Sequence, residues 1–467
     1  MIEKHGAMRV DGMVFLDEEL LNVLGTDESI KQVENVACLP GIVGTSMAMP
    51  DIHWGYGFPI GGVAAFDIET GVISPGGVGY DINCGVRLMR SLINVTTIKP
   101  KVAEIINRLY ENIPSGIGSH RRDLKFSRNE LKRAVSRGAR WAIEEGFGYA
   151  EDLAYIEDNG ALPQADPEAV SERAYERGKD QIGTLGSGNH FVEVGYISEI
   201  YDEAVAQVFG LFKDHVTIMV HTGSRGFGYQ VCDDSIREMM RASEKYGIYL
   251  PDRQLCAAPF GSPEGQRYFA AMGAAANYAF ANRQMITHWV RETMEEVMQM
   301  SSGALGLSLL YDVCHNIAKL EKHRVGNKES TLCVHRKGAT RAFAPKHPAL
   351  PEKYRNTGQP VLIPGDMGRA SYVLCGTAGA MEGTFGSTCH GAGRIMSRGQ
   401  AIKASKGRSL QKELETKGIC VKAASKATLA EEMPEAYKDV SKVVRVVHDA
   451  GISKLVARIT PLGCIKG

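Results

Sequence analysis

Short apolar runs that stop at a histidine or a glycine turn are the feature that most limits how this chain can fold. Examples are VTIMVH, which ends at His221, LSLLYDVCHN, which reaches His315, and the later runs TLCVH, QPVLIP and SYVLCGT. Apolar runs of about four to eight residues bounded by polar or turn residues are typical of β-strands. Because histidines at strand ends beside glycine turns often form sites, the pattern predicts sheets with a functional site at the strand ends.

Helical periodicity is clearest in other segments, namely 99–113, 126–147, 165–180, 198–212, 263–300 and 429–450. Pro263 followed by Glu264 is a typical helix start. Length alone would suit about three domains, but the sequence shows no repeat or low-complexity linker. We therefore expect an α/β (α+β) fold over residues 1–467, a single compact unit of mixed, largely antiparallel sheets with surrounding helices and a helical lobe at about 99–180.

Composition argues against several classes of protein. The sequence has no run of about 18 apolar residues that could cross a bilayer. Its first stretch, MIEKHGAMRVDGMVF, lacks the apolar segment and cleavage site of a secretory signal. The 10 cysteines show neither disulfide-framework nor CxxC spacing. We therefore expect a cytoplasmic protein with no membrane partner, in which most thiols are reduced and buried.

Glycine accounts for 52 of 467 residues, above the usual ~7%, and the excess is concentrated beside potential metal ligands. The stretches GGVGYDINCGVR, GTLGSGNHFVEV, MVHTGSRGFG and YDVCHNIAKLEKH supply Asp81, Cys84, His190, His221 and His315. A carboxylate, a thiolate and imidazoles suit Mn, Fe, Zn or Co better than Mg or Ca, which prefer oxygen ligands. Each residue taken alone is more often structural, so it is the joint pattern that points to a metal site.

The stretch FGSTCHGAGR, residues 385–394, places His390 among small residues and glycines. A histidine that only fills space is usually flanked by the apolar periodicity of its element, and this one is not. Glycines allow close approach of the backbone to a ligand, and Ser387, Thr388 and Arg394 offer groups that an anion can use. The stretch therefore predicts a phosphate near an imidazole.

Other nucleotide motifs are absent or incomplete. The sequence contains no GxxxxGK[ST] loop, which argues against a P-loop NTPase. RVDG at residues 9–12 has Arg9 where a lysine-dependent nucleotidyltransferase needs its nucleophile, and arginine is not deprotonated in proteins. HVT at His215 lacks the convincing second copy expected of a cyclic-phosphate phosphodiesterase.

The motifs DINCG, GSGNHF, HTGSRGFG, CHNIA, PGDMG and HGAGR occur together and in one order. With MPDIHWGYGFPIGG, VHRKGATRA and PLGCIKG, they make the sequence closely resemble the RtcB family of RNA-splicing ligases over essentially the whole chain. The resemblance implies a GTP- and Mn-dependent ligase for tRNA splicing or RNA repair. Such an enzyme joins RNA ends that bear a 2′,3′-cyclic phosphate or a 3′-phosphate to ends that bear a 5′-hydroxyl, through a guanylylated histidine and an RNA-3′-pp-5′-G intermediate.

The resemblance also implies residue roles. His390 would be the nucleophile that is guanylylated, and two Mn ions would be held by Asp81, Cys84, His190, His221 and His315, with Cys84 and His221 near both ions. The residues implied at the GTP or GMP site are Asn189, His190, Phe191, Val192, Glu193, His315, Asn316, Pro364, Gly365, Asp366, Met367, Ser371, His390, Gly391, Ala392, Gly393, Tyr437 and Lys466. The roles of Asp366 and Cys389 stay open.

The net charge is +0, so the overall charge of the protein cannot attract a polyanion. Two basic stretches are therefore the candidates for RNA contacts. The stretches are 120–140 and 394–408, and the candidates for the RNA backbone are Arg121, Arg122, Arg128, Arg394 and Arg398. Solvated helix faces are the alternative for the first stretch. The expected partners are broken RNA, such as tRNA halves, and an activating protein such as archease.

Two other functions stay open. A paralogue could keep the metals and His390 but hydrolyse or cap RNA ends, and a binding protein could recognise RNA ends without chemistry. The unaltered motifs around His390 and the ligands argue against both. His53, His335 and His448 are not assigned to metals, and a structural or supporting role is expected for His53 and His335.

Overall fold

A computed structural model describes residues 1–25, 27–121 and 123–467. The strands are β1 (Gly12–Val14), β2 (Ile42–His53), β3 (Ile60–Asp67), β4 (Val72–Ile73), β5 (Gly85–Asn94), β6 (Phe191–Ile200), β7 (His215–Thr222), β8 (Ala258–Pro259), β9 (Ser308–Cys314), β10 (Asn316–Val325), β11 (Lys328–Lys337), β12 (Ala339–Arg341), β13 (Pro360–Ile363), β14 (Ser371–Gly376), β15 (Ser387–Cys389), β16 (Cys420–Ala423) and β17 (Ser453–Lys466).

The α-helices lie between these strands in the chain. They are α1 (Glu18–Leu24), α2 (Ser29–Val36), α3 (Val95–Ile98), α4 (Val102–Asn112), α5 (Arg128–Arg137), α6 (Ala139–Glu144), α7 (Glu172–Gly178), α8 (Glu203–Phe209), α9 (Arg225–Lys245), α10 (Pro263–Met298), α11 (Ala378–Gly383), α12 (Arg398–Ala404), α13 (Leu410–Thr416), α14 (Lys426–Glu431) and α15 (Val440–Asp449).

Two large sheets form the centre of the fold. The first has the order β13-β14-β17-β6-β7-β5-β9, with β16 added beside β17, and the second has the order β1-β2-β3-β11-β10. Strands β16 and β17 pair in parallel, as do β1 and β2, and the other neighbours in these sheets pair antiparallel. The predicted fold class is confirmed: the chain is a compact unit of largely antiparallel sheets with surrounding helices.

Helix α10 is buried on nearly every side. Its small residues, such as Ala274, Ala275 and Ala281, let neighbouring elements approach closely, and all three are fully buried. Helices α4, α5, α6 and α9 pack against it. A helix that is covered all round belongs in a core.

The helices between residues 99 and 180 share an apolar core with the first sheet. Ile106 of α4, Trp141 of α6 and Tyr175 of α7 belong to one cluster of buried side chains with Val220 of β7. Shared burial of this kind ties the helices to the sheet, because neither surface could be exposed without loss of apolar contact.

Across the described residues, no helix combines the length and apolar character needed to cross a membrane.

Several predicted boundaries differ from the structure. The segment 198–212 begins as strand, since β6 continues to Ile200 before α8 starts. Helix α9 begins in a stretch whose glycines suggested only a turn. Its Gly228 is required by close packing, because a Cβ there would lie 2.6 Å from Ser224 Cβ. Glycine is unfavourable in helices, so the sequence did not predict this one. The packing that requires glycine here cannot be seen in the local sequence.

Candidate active site

Most of the predicted metal and nucleotide residues meet at a cavity of about 240 Å³ where turns from the two large sheets come together. Its wall combines the turns before β5 and β6, the ends of β7 and β9, the turn after β13, the loop after β15 and the end of β17. The predicted residues on the wall are Asp81, Cys84, Asn189, Phe191, His221, His315, Asn316, Pro364, Gly365, Asp366, Met367, His390, Gly391, Ala392, Gly393, Arg394, Arg398, Tyr437 and Lys466.

The candidate metal ligands form two groups that share one thiol. Cys84, His221 and His315 form one group, Asp81, Cys84 and His190 form the other, and the ligand atoms within each group lie within 4.8 Å of one another. Cys84 Sγ is 3.3 Å from His221 Nε2 and 3.5 Å from His190 Nε2. A sulfur shared between two groups of ligands is an arrangement suited to two neighbouring cations.

Burial keeps two of the imidazoles in the neutral form that can bind a metal. Desolvation and nearby positive groups lower the pKa of His221 and of His315 well below the usual histidine value. Both rings are therefore neutral near pH 7, which is the form that binds metals.

The third imidazole, that of His190, faces a carboxylate. Its Nδ1 lies 3.0 Å from the Leu185 carbonyl oxygen. Because a carbonyl only accepts, Nδ1 donates, and in the neutral ring Nε2 keeps its lone pair. That nitrogen is 2.8 Å from Asp81 Oδ2. Two acceptors that face each other in this way fit a cation bound by both.

The thiol of Cys84 is also in surroundings that suit a cation. Burial, followed by the charge of Asp81, raises its pKa well above the usual cysteine value. A bound cation reverses this effect, since a coordinating thiol is deprotonated outright. The sulfur and nitrogen donors fit Mn, Fe, Zn or Co better than a cation that prefers oxygen ligands.

His390 is held at the edge of this cluster by a carboxylate. Asp51 is fully buried, and its Oδ2 is 2.5 Å from His390 Nδ1 and 3.0 Å from the His390 backbone nitrogen. Burial alone would raise the pKa of Asp51, but the charge and hydrogen bonds of His390 outweigh it and leave that pKa lowered. Asp51 therefore accepts from Nδ1–H, which leaves the lone pair of the neutral imidazole on Nε2.

The imidazole of His390 also lies next to the candidate metal ligands. Its ring centroid is 4.8 Å from that of His315, and the two planes are tilted by 59°. The side chain of His390 is 13% exposed, and the residues that follow it on the wall, Gly391, Ala392 and Gly393, are all small. A ligand in the cavity can therefore reach His390 and the cluster together.

A buried network of charges forms another part of the wall. Glu432 accepts from the hydroxyl of Tyr437 and from Arg394 Nη1 at 3.1 Å, and its carboxylate lies 3.5 Å from Lys466 Nζ. The Lys466 ammonium also lies 5.2 Å from the centroid of the Phe191 ring. This part of the wall offers both donors and acceptors, as recognition of a polar heterocycle requires.

Four predicted nucleotide contacts are not on the wall, namely His190, Val192, Glu193 and Ser371, and the last three lie behind it. Glu193 Oε1 is 3.4 Å from Ser371 Oγ, and burial raises the pKa of Glu193 to about 8. Ser371 Oγ in turn accepts from the Gly365 backbone nitrogen at 3.2 Å. The side chain of Val192 belongs to the apolar core.

The two residues whose roles stayed open have different surroundings. Asp366 is on the wall and forms an ion pair with Arg369 at 2.7 Å, and burial raises the pKa of Asp366. Cys389 is fully buried beside the loop of His390, and burial raises the pKa of its thiol well above the usual value. A protonated, buried thiol of this kind is typical of a structural cysteine.

The first basic stretch is largely neutralised by acids. Arg128 pairs with Glu172, and Arg121 pairs with Asp123 at 2.6 Å. The Arg121 guanidinium also lies 4.0 Å from the centroid of the Trp289 ring. These contacts agree with the alternative in which the stretch forms a solvated helix face.

The other basic candidates differ from one another. Arg122 lies outside the described residues. Arg394 is paired with Glu432, whereas the Arg398 side chain is 62% exposed at the mouth of the cavity, 3.8 Å from Glu431. Of the two candidate arginines in the second stretch, Arg398 is therefore the one that a polyanion could reach.

Several groups of the site were not predicted from the sequence. Asp51, Glu432, Ile60 and Gly338 were not singled out, although Asp51 lies within the quoted motif MPDIHWGYGFPIGG. His53 lies on the cavity wall, with its Nδ1 2.9 Å from the Asp51 carbonyl oxygen. Burial lowers the pKa of His53 to about 4, so it is neutral beside Asp51.

A second groove, with a volume of about 510 Å³, shares Asp81, Asn189 and Arg398 with the cavity. Its lining residues are Tyr80, Asp81, Ile117, Gly118, Arg177, Gln181, Ser187, Asn189, His190, Arg225, Gly226, Tyr229 and Arg398. The rings of Tyr80 and Tyr229 are stacked with centroids 4.7 Å apart, and the Arg177 guanidinium lies 4.8 Å from the Tyr229 centroid. Aromatic rings beside arginines are typical of single-stranded nucleic-acid sites.

Known proteins match this chain over nearly its whole length. Residues 32–467 match the family model described as tRNA-splicing ligase RtcB. A protein of Archaeoglobus fulgidus with that name is 57% identical over 98% of this chain and 95% of its own length. Proteins of the same name from Thermococcus kodakarensis and Nanoarchaeum equitans are 54% and 47% identical over 98% and 100% of this chain, and 95% and 97% of theirs.

Proposed function

Because this chain belongs to the RtcB family of tRNA-splicing ligases, we infer that it is an RNA ligase, and we propose that it uses GTP and Mn²⁺. The proposed substrates are an RNA end with a 2′,3′-cyclic phosphate or a 3′-phosphate and a second end with a 5′-hydroxyl. Cleaved tRNA halves in the cytoplasm are the proposed physiological substrate, and broken RNA that needs repair is the alternative. Archease is proposed as an activating partner on the strength of the family resemblance alone.

The environment of His390 is the observation that carries this proposal. Its Nδ1 is fixed by Asp51, its Nε2 is left for a ligand in the cavity, and the His315 ring lies beside it. A neutral imidazole nitrogen with a fixed tautomer is a competent nucleophile toward phosphorus. The candidate metal ligands beside it favour a substrate with negative charge.

In the proposed reaction, a cyclic phosphate is first hydrolysed to a 3′-monophosphate. His390 Nε2 then forms a bond to the α-phosphorus of GTP, and the bond from that phosphorus to the bridging oxygen breaks to release pyrophosphate. A 3′-phosphate oxygen of the RNA next attacks the same phosphorus, which frees His390 and forms a diphosphate bridge. Finally the 5′-hydroxyl attacks the RNA phosphorus, loses its proton and displaces GMP.

Positioning and charge neutralisation carry most of the catalysis in reactions of this kind. We propose that Asp81, Cys84, His190, His221 and His315 hold two Mn²⁺ ions. When bound, the ions supply positive charge to the phosphate oxygens. Asp51 keeps the His390 proton on Nδ1, so Nε2 can form and break its bond to phosphorus without a proton transfer.

The guanosine is proposed to occupy the part of the wall that contains Tyr437 and Lys466. Glu193 and Ser371 would support this wall from behind, because they hydrogen-bond to each other and Ser371 also accepts from Gly365 in the turn after β13. Asp366 lies on the wall itself and pairs with Arg369. A protonated Glu193 could also donate, which its raised pKa near 8 allows at neutral pH.

Arg394 is proposed as part of the guanosine wall rather than as an RNA contact. Its guanidinium already donates to Glu432, to the Tyr437 hydroxyl and to the Glu431 carbonyl oxygen. These contacts use most of the donors of the side chain. A phosphate would have to displace one of them, so Arg394 is better placed to orient Tyr437.

The second groove is proposed to hold an RNA strand. It adjoins Asp81 and His190, so a strand in the groove would present its end to the metal cluster. Arg398 lines both the cavity and the groove, and its exposed guanidinium can contact a phosphate at their junction. Arg121 and Arg128 are weaker candidates because each has a carboxylate partner.

Replacement of Tyr229 by alanine should weaken RNA binding without slowing guanylylation of the enzyme. One stacked base is worth about 1–3 kcal/mol, so the KM for RNA should rise by roughly 5- to 150-fold. Arg177→Ala should reduce the salt dependence of binding by about one phosphate contact. The measurement is ligation rate against RNA concentration at several salt concentrations.

The matched control for this groove is Tyr249→Ala. The exposure of Tyr249 is 61%, comparable with the 45% of Tyr229, and Tyr249 is not among the residues that line the cavity or the groove. An unchanged KM for Tyr229→Ala would contradict the placement of RNA in the groove. A charge reversal at Arg128 that weakened RNA binding instead would return the assignment to the 120–140 stretch.

The direct test of the proposed function is ligation with purified protein. An RNA with a 3′-phosphate and an RNA with a 5′-hydroxyl should be joined when GTP and Mn²⁺ are present, and not when ATP replaces GTP. The reaction should consume the 5′-hydroxyl end and release GMP. If RNA binds but GTP is not consumed with any metal, the chain is an RNA-end binding protein and the proposed chemistry is wrong.

A further inference from the structure

Helix α10 does more than fill the core, because two adjacent polar residues on it reach the turns that carry the candidate ligands. Asn282 and Arg283 are both fully buried in the interior of α10. Side chains this polar are rarely buried unless their hydrogen-bonding capacity is used. Here that capacity is directed at the segments on which the metal cluster is built.

Arg283 joins two of these segments directly. Its Nη1 donates to the carbonyl oxygen of Asn83 at 2.7 Å and to that of Thr222 at 3.0 Å, and its Nη2 donates to Asn83 Oδ1 at 3.1 Å. Asn83 immediately precedes Cys84 and has a φ of +54°, while Thr222 immediately follows His221. One planar guanidinium therefore sets the spacing between the turn of Cys84 and the end of β7.

The same guanidinium is tied to the strand that leads to His315. Arg283 Nε and Nη2 each lie 2.9 Å from a carboxylate oxygen of Asp312, which is on β9 three residues before His315. Asp312 also accepts from Arg87 Nε on β5 at 2.7 Å. The bidentate contact between Arg283 and Asp312 fixes the rotation of the guanidinium as well as its position.

Asn282 makes a similar connection to a further turn. Its Oδ1 accepts from the backbone nitrogens of Gly183 and Thr184 at 2.7 and 3.1 Å, and its Nδ2 donates to the Gly223 carbonyl oxygen at 3.1 Å. Gly183 and Thr184 begin the segment that leads to His190, whereas Gly223 follows the end of β7. Asn282 thus links the loop of His190 to β7.

The backbone that follows Cys84 packs closely against the guanidinium of Arg283. A Cβ on Gly85 would lie 2.4 Å from the Val313 carbonyl oxygen and 3.1 Å from Arg283 Cζ. The guanidinium therefore lies directly behind the start of β5. A lysine could not make the same set of contacts, because an ammonium lacks the planar fork.

We propose that Arg283 is a positioning residue for the metal centre, which holds the segments of Cys84, His221 and His315 at the spacing that two cations require. Arg283 acts through the backbone and through Asp312, and the proposal gives it no contact with a metal, GTP or RNA. The inference rests on the proposed function for the identity of the cations. In this proposal, α10 fixes the relative positions of the turns that carry the candidate metal ligands.

The test compares two lysine substitutions on the same helix, Arg283→Lys and Arg291→Lys. Arg291 is also buried, and its partners are Asp152, at 2.7 Å through two nitrogens, and the ring of Tyr149. Both partners lie in the 149–155 segment rather than in a turn that bears a candidate ligand. The affinity of each protein for Mn²⁺ is measured by calorimetry, bound Mn²⁺ is examined by electron paramagnetic resonance, and thermal unfolding of the metal-free proteins is measured in parallel.

Arg283→Lys should bind Mn²⁺ about 10- to 100-fold more weakly than the wild type, as expected for loss of a contact that supports metal ligands. Its resonance spectrum should change, whereas Arg291→Lys should match the wild type in both respects despite a lower unfolding temperature. Should Arg283→Lys be insoluble, Asp312→Asn gives the same comparison, because it removes the carboxylate that orients Arg283.

Equal Mn²⁺ affinity in the wild type and Arg283→Lys would overturn the inference while the proposed function stands. Equal weakening in both lysine variants would also overturn it, because the effect would then come from core stability alone. A wild type that binds no Mn²⁺ would overturn the proposed metal centre and the inference with it. The wild-type titration therefore distinguishes the two kinds of failure.

Discussion

Incubation of the protein with GTP and Mn²⁺ should add the mass of one GMP to it, and His390→Ala should abolish the addition. Among the residues that the structure describes, His390 has the only histidine ring on the cavity wall whose Nδ1 is held by a carboxylate. Removal of a covalent nucleophile leaves no alternative group in the same place, so ligation should fall by about four orders of magnitude or more. Intact-mass measurement detects the adduct, and acid lability identifies a phosphorus–nitrogen bond.

The matched control is His5→Ala, which removes an exposed imidazole that is not among the residues lining the cavity. Asp51→Asn gives a graded variant, because the ring stays but the amide nitrogen can donate to Nδ1. That contact favours a proton on Nε2 and removes the nucleophilic lone pair, so adduct formation should slow by about 100-fold or more. An adduct of normal yield in His390→Ala would mean that another residue is guanylylated.

Replacement of Cys84 by alanine should disturb both cation sites at once. Cys84 is the only member common to the two groups of ligands identified within the described residues. Even contacts that only support metal ligands are commonly worth about 10- to 100-fold in metal affinity, so loss of a shared thiolate should cost at least about 100-fold at each site. Calorimetry with Mn²⁺ gives the number of ions and the affinity, and adduct formation gives the chemical consequence.

His315→Ala is the informative comparison, because His315 belongs to one group only. It should weaken one site strongly and leave a second binding event, whereas Cys84→Ala should leave none of normal affinity. Two undisturbed binding events in Cys84→Ala would contradict the shared thiolate. The experiment needs a reducing buffer, since oxidation of the thiol would mimic the substitution.

Much of the fold was predictable because hydrophobic periodicity is a local property. Helix α10 and the strands β7, β9, β11, β13 and β14 follow from local apolar patterns. Helix α9 did not, because its first turn contains Gly226 and Gly228, where a Cβ would collide with Gln181 and Ser224. Close packing requires glycine at these two positions, and glycines so close together in a sequence are typical of a turn.

The candidate site was only partly predictable, for a related reason. Thiol, imidazole and carboxylate groups beside glycine turns can be recognised by residue type, so the candidate metal ligands could be predicted from their joint pattern. Asp51 sits inside a strand with no local signal, and only the approach of β15 to β2 reveals its contact with His390. The pairing of the basic stretch at 120–140 could not be predicted locally, because its acidic partners, such as Glu168 and Glu172, lie in another segment.

The position of β17 in the first sheet has a consequence for biosynthesis. This strand lies between β14 and β6, pairs with β16 as well, and brings Lys466 to the cavity wall. The ribosome makes residues 453–466 after the rest of that wall. During translation, β6 and β14 therefore each have one edge that is not yet paired with β17. Unpaired strand edges are prone to pair with other chains. We therefore expect the nascent protein to be most prone to aggregation, with its cavity wall still incomplete, just before β17 emerges.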